Sequence, residues 1–286
     1  MSHQFVSVVV PTRNRAQLLR DCLESLLAQD YPHDRYEVII VDDGSRDETA
    51  ALVTEFSRKS TSPTVTLVSQ PSRGLNAARN AGIAAAGGDP VCFVDDDVEV
   101  PLGWLSAMVR GVGRHPEAGC CGGPIRLRLE GKAHRACGRE PLGETELDLG
   151  DSERPVRRVW GANMAVSKAA VGATGPFLEE LPIYGDEEEW EQRHLDAGGA
   201  VIYLPEAWLW HRRTAEDLRL WRLARNRFRR GASQLTYLRL SGQSPTLWGE
   251  LSPIPRTLAH AILRRCAWGI LTTAMHLGRV WGILHG

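Results

Sequence analysis

Short unbroken apolar runs alternate with helically spaced stretches through most of the chain. Phe5–Val10 is rich in β-branched residues and ends at Pro11, after which Leu19, Leu23, Leu26 and Leu27 recur at helical spacing between Gln17 and Gln29. Val38–Val41 is a second apolar run, followed by Asp42-Asp43-Gly44-Ser45 and a helical stretch from Glu48 to Arg58. Val65–Val68 predicts a third strand, and Leu75–Ala86 an Ala-rich helix closed by Gly87-Gly88. Val91–Val94 predicts a fourth strand that runs into Asp95-Asp96-Asp97. Continuous apolar strands separated by helices mark a parallel sheet covered on both faces, so the chain reads as an α/β protein with a doubly wound, Rossmann-like sheet. Ligands bind such sheets at the carboxyl ends of the strands. Pro11–Asn14, Asp42–Ser45 and Asp95–Asp97 should therefore gather at one edge.

Further along, the pattern changes. Ile125–Arg158 is polar and weakly periodic and reads as an insertion or long loops, whereas Trp160–Val166 predicts a strand, Glu187–Ala197 a helix and Ala200–Leu204 a late strand. From about Thr214 the periodicity is purely helical, with Trp221, Ala224, Phe228, Ala232, Leu235 and Leu238 on one face and Arg222, Arg225 and Arg229 on another. After Ser252-Pro253-Ile254-Pro255, a heptad-like stripe runs through Leu263, Ala267, Ile270, Ala274, Leu277, Trp281 and Leu284. Residues 1–213 are thus expected to form one domain and residues 214–286 a basic amphipathic helical extension.

Composition excludes a disordered chain: 43% of the 286 residues are hydrophobic and 24% charged. The net charge of −1 conceals an asymmetry, because thirteen Arg, no Lys and three acids between His211 and Gly286 give +10 and leave −11 on residues 1–210. A basic tail on an acidic body points to an anionic surface or a phosphate-bearing substrate, with no aromatic-and-basic signature of nucleic-acid binding. The six cysteines form no C-x-x-C pair, so reduced thiols are expected. His134 and Cys137 with Cys120 and Cys121 could bind zinc, but their spacing is untypical. With neither a secretion signal nor an apolar run of membrane-spanning length, a cytoplasmic protein is expected. Its arginine-rich tail and the apolar stripe leave open peripheral attachment at the inner membrane face, packing of the stripe on the preceding domain, or pairing in a homodimer.

The chemistry concentrates in the acids. Asp95-Asp96-Asp97 puts adjacent carboxylates on one turn, where a hard cation would relieve their repulsion and bridge to donor phosphates; a plain solvated turn is the alternative. A carboxylate of Asp42-Asp43 can accept from a base N–H, although Ser45 or Asp47 could equally cap the next helix. Arg13, Arg73 and Arg79 could supply charge to a diphosphate. The acids from Asp186 to Glu189 either compensate a helix dipole or provide a general base. His211 could complete a metal site.

Six segments in register resemble the family 2 glycosyltransferases of the GT-A fold over residues 5 to about 213: Val8–Asn14, Val41–Ser45, Ala78–Gly82, Phe93–Asp97, Gly161–Ala165 and Gly185–Trp190. The resemblance implies a nucleotide-binding half at 1–100 and an acceptor-binding half at 101–213. It implies that Pro11, Thr12 and Arg13 line the nucleotide pocket and that Asp42 contacts the base; Asp43, Arg73, Arg79 and Asp96 are further candidates for the nucleotide side from the residues themselves. Asp95 and Asp97 would be the D-x-D pair for Mn²⁺ or Mg²⁺, His211 a further group on the metal or diphosphate, and Gly161 and Asn163 neighbours of the donor sugar. Asp186-Glu187 matches the family's base motif with the acids in reversed order; by position Glu187 is the base.

The activity implied is inverting, single-displacement transfer from a nucleoside-diphosphate sugar (UDP, dTDP or GDP type) to the hydroxyl of a glycan, lipid or small-metabolite acceptor. A sugar nucleotidyltransferase is the nearest rival enzyme, but Pro11–Arg15 lacks the glycines of a nucleotide loop. A catalytically silent sugar-nucleotide scaffold would need neither acidic cluster.

Overall fold

The apolar runs become strands that bury both faces. In the computed structural model, which describes residues 4–132, 134, 136–137, 146–181 and 186–285, β1 (Val6–Thr12) is buried at every position. α1 (Ala16–Leu27), β2 (Tyr36–Asp42), α2 (Thr49–Lys59), β3 (Thr64–Ser69), α3 (Leu75–Ala85) and β4 (Val91–Val94) follow in the order the pattern predicts. Next come β5 (Val98–Glu99), α4 (Trp104–Arg114), β6 (Gly119–Gly122), β7 (Ile125–Leu129), β8 (Arg154–Val156) and β9 (Asn163–Val166). α5 (Lys168–Thr174), α6 (Asp186–Asp196), β10 (Ala200–Tyr203) and β11 (Leu209–Arg213) complete the part that carries the acids. The helices α7 (Leu220–Leu240), α8 (Leu247–Leu251), α9 (Ile254–Arg264) and α10 (Ala267–His285) end the chain. Gly185 and most of residues 133–145 lie outside the described residues.

The main sheet runs β3-β2-β1-β4-β9-β6-β10-β8. Its first four strands are parallel, as the pattern requires, and so are β6 and β10. β9 is antiparallel to both β4 and β6, and β8 is antiparallel to β10. A strand buried on both faces reads as the same apolar run in either direction, so composition alone does not reveal the reversal at β9. On one face, Val6, Val8 and Val10 pack against Leu19, Leu23 and Leu26; on the other, Val9, Ile39 and Val41 pack with Ala78, Phe93, Phe177 and Trp190. Each fully buried Val or Leu side chain contributes about 1.5–3 kcal/mol, which holds the loops at the strand ends to a rigid base.

The chain divides into two compact units, Met1–Arg126 with Thr145–Glu179 and Asp186–His211, and Leu127–Glu144 with Glu180–Gly185 and Arg212–Gly286. In the second unit α7 and α10 pack closely because Gly278 has no side chain: a Cβ there would meet the Phe228 carbonyl oxygen at 2.0 Å. The helical region differs from the sequence reading in two ways. α7 buries Leu223, Gly231 and Leu235, while Trp221 is exposed. The heptad-like stripe is interrupted at Arg265-Cys266, and Leu263, Ile270, Leu277, Trp281 and Leu284 are all exposed, because α10 buries a different set, Ala267, Gly269, Leu271, Thr273 and Gly278.

Candidate active site

The turn after β4 uses its three acids differently. Asp96 is drawn inward: Thr12 Oγ1 donates to its Oδ2 at 2.7 Å and Arg15 Nη1 to its Oδ1 at 2.8 Å. Burial pushes its carboxyl up to about 7, with Arg15 opposing and Asp97 adding to the shift. Asp95 and Asp97 face the other way, toward His211, whose Nε2 lies 3.6 Å from Asp95 Oδ2 and 3.3 Å from Asp97 Oδ1. Strand register explains the meeting, since β5 directly follows the acidic turn and Val98 pairs with His211 on β11. Ligand atoms of Asp95, Asp97 and His211 all lie within 4.8 Å of one another. Two carboxylates and one imidazole suit a hard or borderline divalent cation. Arg15 Nη2 also holds Asp97 Oδ2 at 2.8 Å, which limits the repulsion between the acids.

The second strand end is tied to the first. Asp42 Oδ1 accepts from Ser45 N at 2.8 Å, Asn14 N donates to Ser45 Oγ at 2.8 Å, and Arg46 N donates to Asn14 Oδ1 at 2.7 Å. Asp43 organises the loop before α3, accepting from Gln70 Nε2 at 2.8 Å, Arg73 N at 2.7 Å and Gly74 N at 3.0 Å. Neither Ser45 nor Asp47 is the N-cap of α2, which is Glu48; Asp47, one residue earlier, accepts from Thr49 N at 3.2 Å and Ala16 N at 3.1 Å.

The third cluster opens α6. Arg79, only 2% exposed, donates from Nη1 to Asp186 Oδ2 at 2.6 Å and to Asn76 Oδ1 at 3.0 Å, and lies 3.7 Å from Glu187 Oε2. Gly161 makes room for this guanidinium, since a Cβ there would meet Arg79 Nη2 at 2.1 Å. The same residue's N–H donates to Glu187 Oε1 at 3.2 Å. Burial alone would raise both carboxyls, but the Arg79 charge holds Asp186 below its ordinary value. Glu187, largely shielded from solvent and facing the Asp186 charge, is pushed up to about 8. One turn on, Glu191 accepts from Val159 N at 2.7 Å, and burial pushes its carboxyl well upward.

The arginines and Asn163 take positions the sequence does not disclose. Arg13 is exposed, Arg73 pairs with Glu179 at 2.6 Å, and Arg79 is enclosed by the α6 acids. Asn163 is fully buried, with its amide bonded to Trp104 Nε1 and to the carbonyls of Pro124 and Ala207, so it braces β9 inside the unit. Pro11 and Thr12 end β1 beside the acidic turn. Arg15, which the sequence reading passes over, is the cation of the acidic turn; its place just after the Pro11–Asn14 loop was the available signal.

Residues 7–172 match the family described as Glycosyl transferase family 2. The glycosyltransferase AglE of Haloferax volcanii is 30% identical over 201 residues, which cover 70% of this chain and 64% of that protein. The pre-mycofactocin glycosyltransferase of Mycobacterium tuberculosis is 32% identical over 239 residues, 81% of this chain and 47% of that protein. The chain thus spans about half to just under two thirds of these relatives. Among solved structures, the mannosyltransferase PcManGT from Pyrobaculum calidifontis, in complex with GDP-Man and Mn²⁺, superposes with a TM-score of 0.69 at 19% identity, covering 100% of this chain and 88% of that one.

Proposed function

The chain belongs to glycosyl transferase family 2 and has the GT-A fold; from that premise we propose that this enzyme moves a sugar from a nucleoside-diphosphate sugar to an acceptor hydroxyl, with inversion and with the help of Mn²⁺ or Mg²⁺. The observation that carries the reading is the convergence of Asp95, Asp97 and His211 at the carboxyl edge of the sheet, where their ligand atoms lie within 4.8 Å. These three residues would hold the cation. Bound there, it would supply positive charge against a departing diphosphate. The GDP-Man and Mn²⁺ held by the PcManGT structure support the same ligand class.

The remaining roles fall to the chain's own groups. Asp42, at the end of β2, would accept from a base N–H, and the loop pinned by Asp43 would shape the nucleotide side of the site. Glu187 takes the acceptor proton on its carboxylate. Asp186 keeps Arg79 fixed, and Arg79 keeps Glu187 oriented, so Asp186 and Arg79 are positioning residues. With Glu187 taking its proton, the acceptor oxygen would attack the anomeric carbon directly while the bond to the diphosphate breaks, and this one displacement would invert the anomeric centre.

No helix among the described residues is long and apolar enough to cross a membrane. The exposed Ile262, Leu263, Trp281 and Leu284, together with the arginines of the tail, support attachment to an anionic membrane surface, with pairing to a second copy as the alternative. The transferase reading is tested by assaying release of nucleoside diphosphate from a set of UDP-, dTDP- and GDP-sugars with Mn²⁺ and with chelator. Release from one donor class that chelator and Asp97→Ala both abolish is the expected result. Release unaffected by either would remove the acidic cluster from the mechanism.

A further inference from the structure

A second set of metal-ligating side chains lies in the other unit, unused by the transferase chemistry. We propose that Cys137, His260 and Cys266 form a binding site for a zinc-class divalent cation. Their ligand atoms, two thiol sulfurs and an imidazole nitrogen, all lie within 4.8 Å of one another. Tetrahedral zinc with bonds of about 2.0–2.3 Å separates its ligands by about 3.5–3.8 Å, so an ion needs only a modest inward closure of these three groups. Two thiolates and an imidazole are a soft donor set that selects zinc over the Mg²⁺ or Mn²⁺ suited to carboxylates. Three protein ligands leave the fourth position to water or another donor.

Local structure brings the ligands together. α9 ends in a paired turn in which Arg265 N donates to the Ile262 carbonyl at 3.3 Å and Cys266 N to the Ala261 carbonyl at 3.1 Å, with Arg265 in the left-handed conformation at φ 45°. That turn folds Cys266 back alongside the last turns of α9, which carry His260. Cys137 is itself left-handed at φ 54°.

His260 adds an independent observation. Its Nε2 is buried and makes no hydrogen bond among the described residues, while the ring stands edge-on to Trp268 at 6.2 Å. A buried imidazole nitrogen with nothing to bind is costly, and a cation satisfies it. Zinc at Cys137 thus takes its other ligands from the far end of the chain. The other partners weighed from sequence are committed elsewhere: Cys120 and Cys121 are buried in β6, and His134 Nε2 bonds the Leu218 carbonyl at 2.8 Å. Binding releases the two thiol protons and links Cys137 to α9 and to the turn that follows it.

The test uses the full chain, purified without chelator and with any affinity tag removed. Metal analysis after dialysis should find one equivalent of zinc, and titration of chelator-stripped protein with Co²⁺ should give the intense near-ultraviolet absorption of thiolate bound to cobalt. Cys137→Ser and His260→Ala should each lose that absorption, whereas Asp97→Ala should keep it, which separates this site from the acidic one. Cobalt titration of the unmodified protein needs no variant, so a variant that misfolds does not obscure the answer. Absence of the thiolate band, its persistence in Cys137→Ser, or thiol titration showing Cys137 and Cys266 already joined as a disulfide without reductant would overturn the proposal.

Discussion

Asp186 and Glu187 are neighbours in the first turn of α6, yet Arg79 makes its short contact with Asp186 and leaves Glu187 as the carboxyl pushed up to about 8. A base with that value accepts a proton readily, so Glu187→Gln should lower kcat by a factor on the order of 10²–10⁴ with little change in donor KM. In the unmodified enzyme kcat/KM should rise with pH and level off above about 8, and that limb should vanish in Glu187→Gln. Stability runs the other way. The folded chain binds this proton more tightly than the unfolded chain, whose ordinary value is 4.5, so stability falls as pH climbs from there to about 8. Thermal melting across that interval should fall less steeply in Glu187→Gln. Asp186→Asn removes the closest counter-charge of a buried guanidinium and should cost about 3–5 kcal/mol, measured by urea unfolding, in addition to any loss of activity.

At the scale of elements, the loops at the carboxyl ends of the strands are held by carboxylates bonded within the fold: Asp96 binds the first loop through Thr12 and Arg15, and Asp43 binds the loop before α3. Their motifs were legible because acids at strand ends are conspicuous, but the division of labour among them was not, since it depends on which way each carboxylate turns. Asp96 shows this: nothing in Asp95-Asp96-Asp97 as a string singles out the middle acid as the internal anchor. The parallel strands β1 to β4 were readable from their apolar runs, whereas the reversal at β9 was hidden by burial on both faces. The packing of α10 was misread for a different reason. Large apolar residues dominate any periodicity analysis, while the buried face combines Gly269 and Gly278 with Ala267, Leu271 and Thr273. Gly278→Ala should therefore cost about 1–3 kcal/mol, because the new methyl would press on the Phe228 carbonyl of a helix that cannot retreat, and thermal denaturation would register the loss.

Across the whole molecule, charge and apolar exposure are distributed unevenly: the chain from His211 onward carries +10 against −11 before it, and the same region exposes Trp248, Ile262, Leu263, Trp281 and Leu284. The full chain should sediment with phosphatidylglycerol vesicles at low ionic strength and be released as salt rises; failure to sediment, with dimers in solution, would assign the face to a second copy. The most direct measurement of the transferase account is calorimetric titration of UDP, dTDP and GDP into the protein, with and without Mn²⁺, repeated with Asp97→Ala. The account predicts Mn²⁺-dependent binding of one nucleotide that the substitution abolishes. Binding of none of the three under either condition, or binding indifferent to both Mn²⁺ and Asp97, would contradict it.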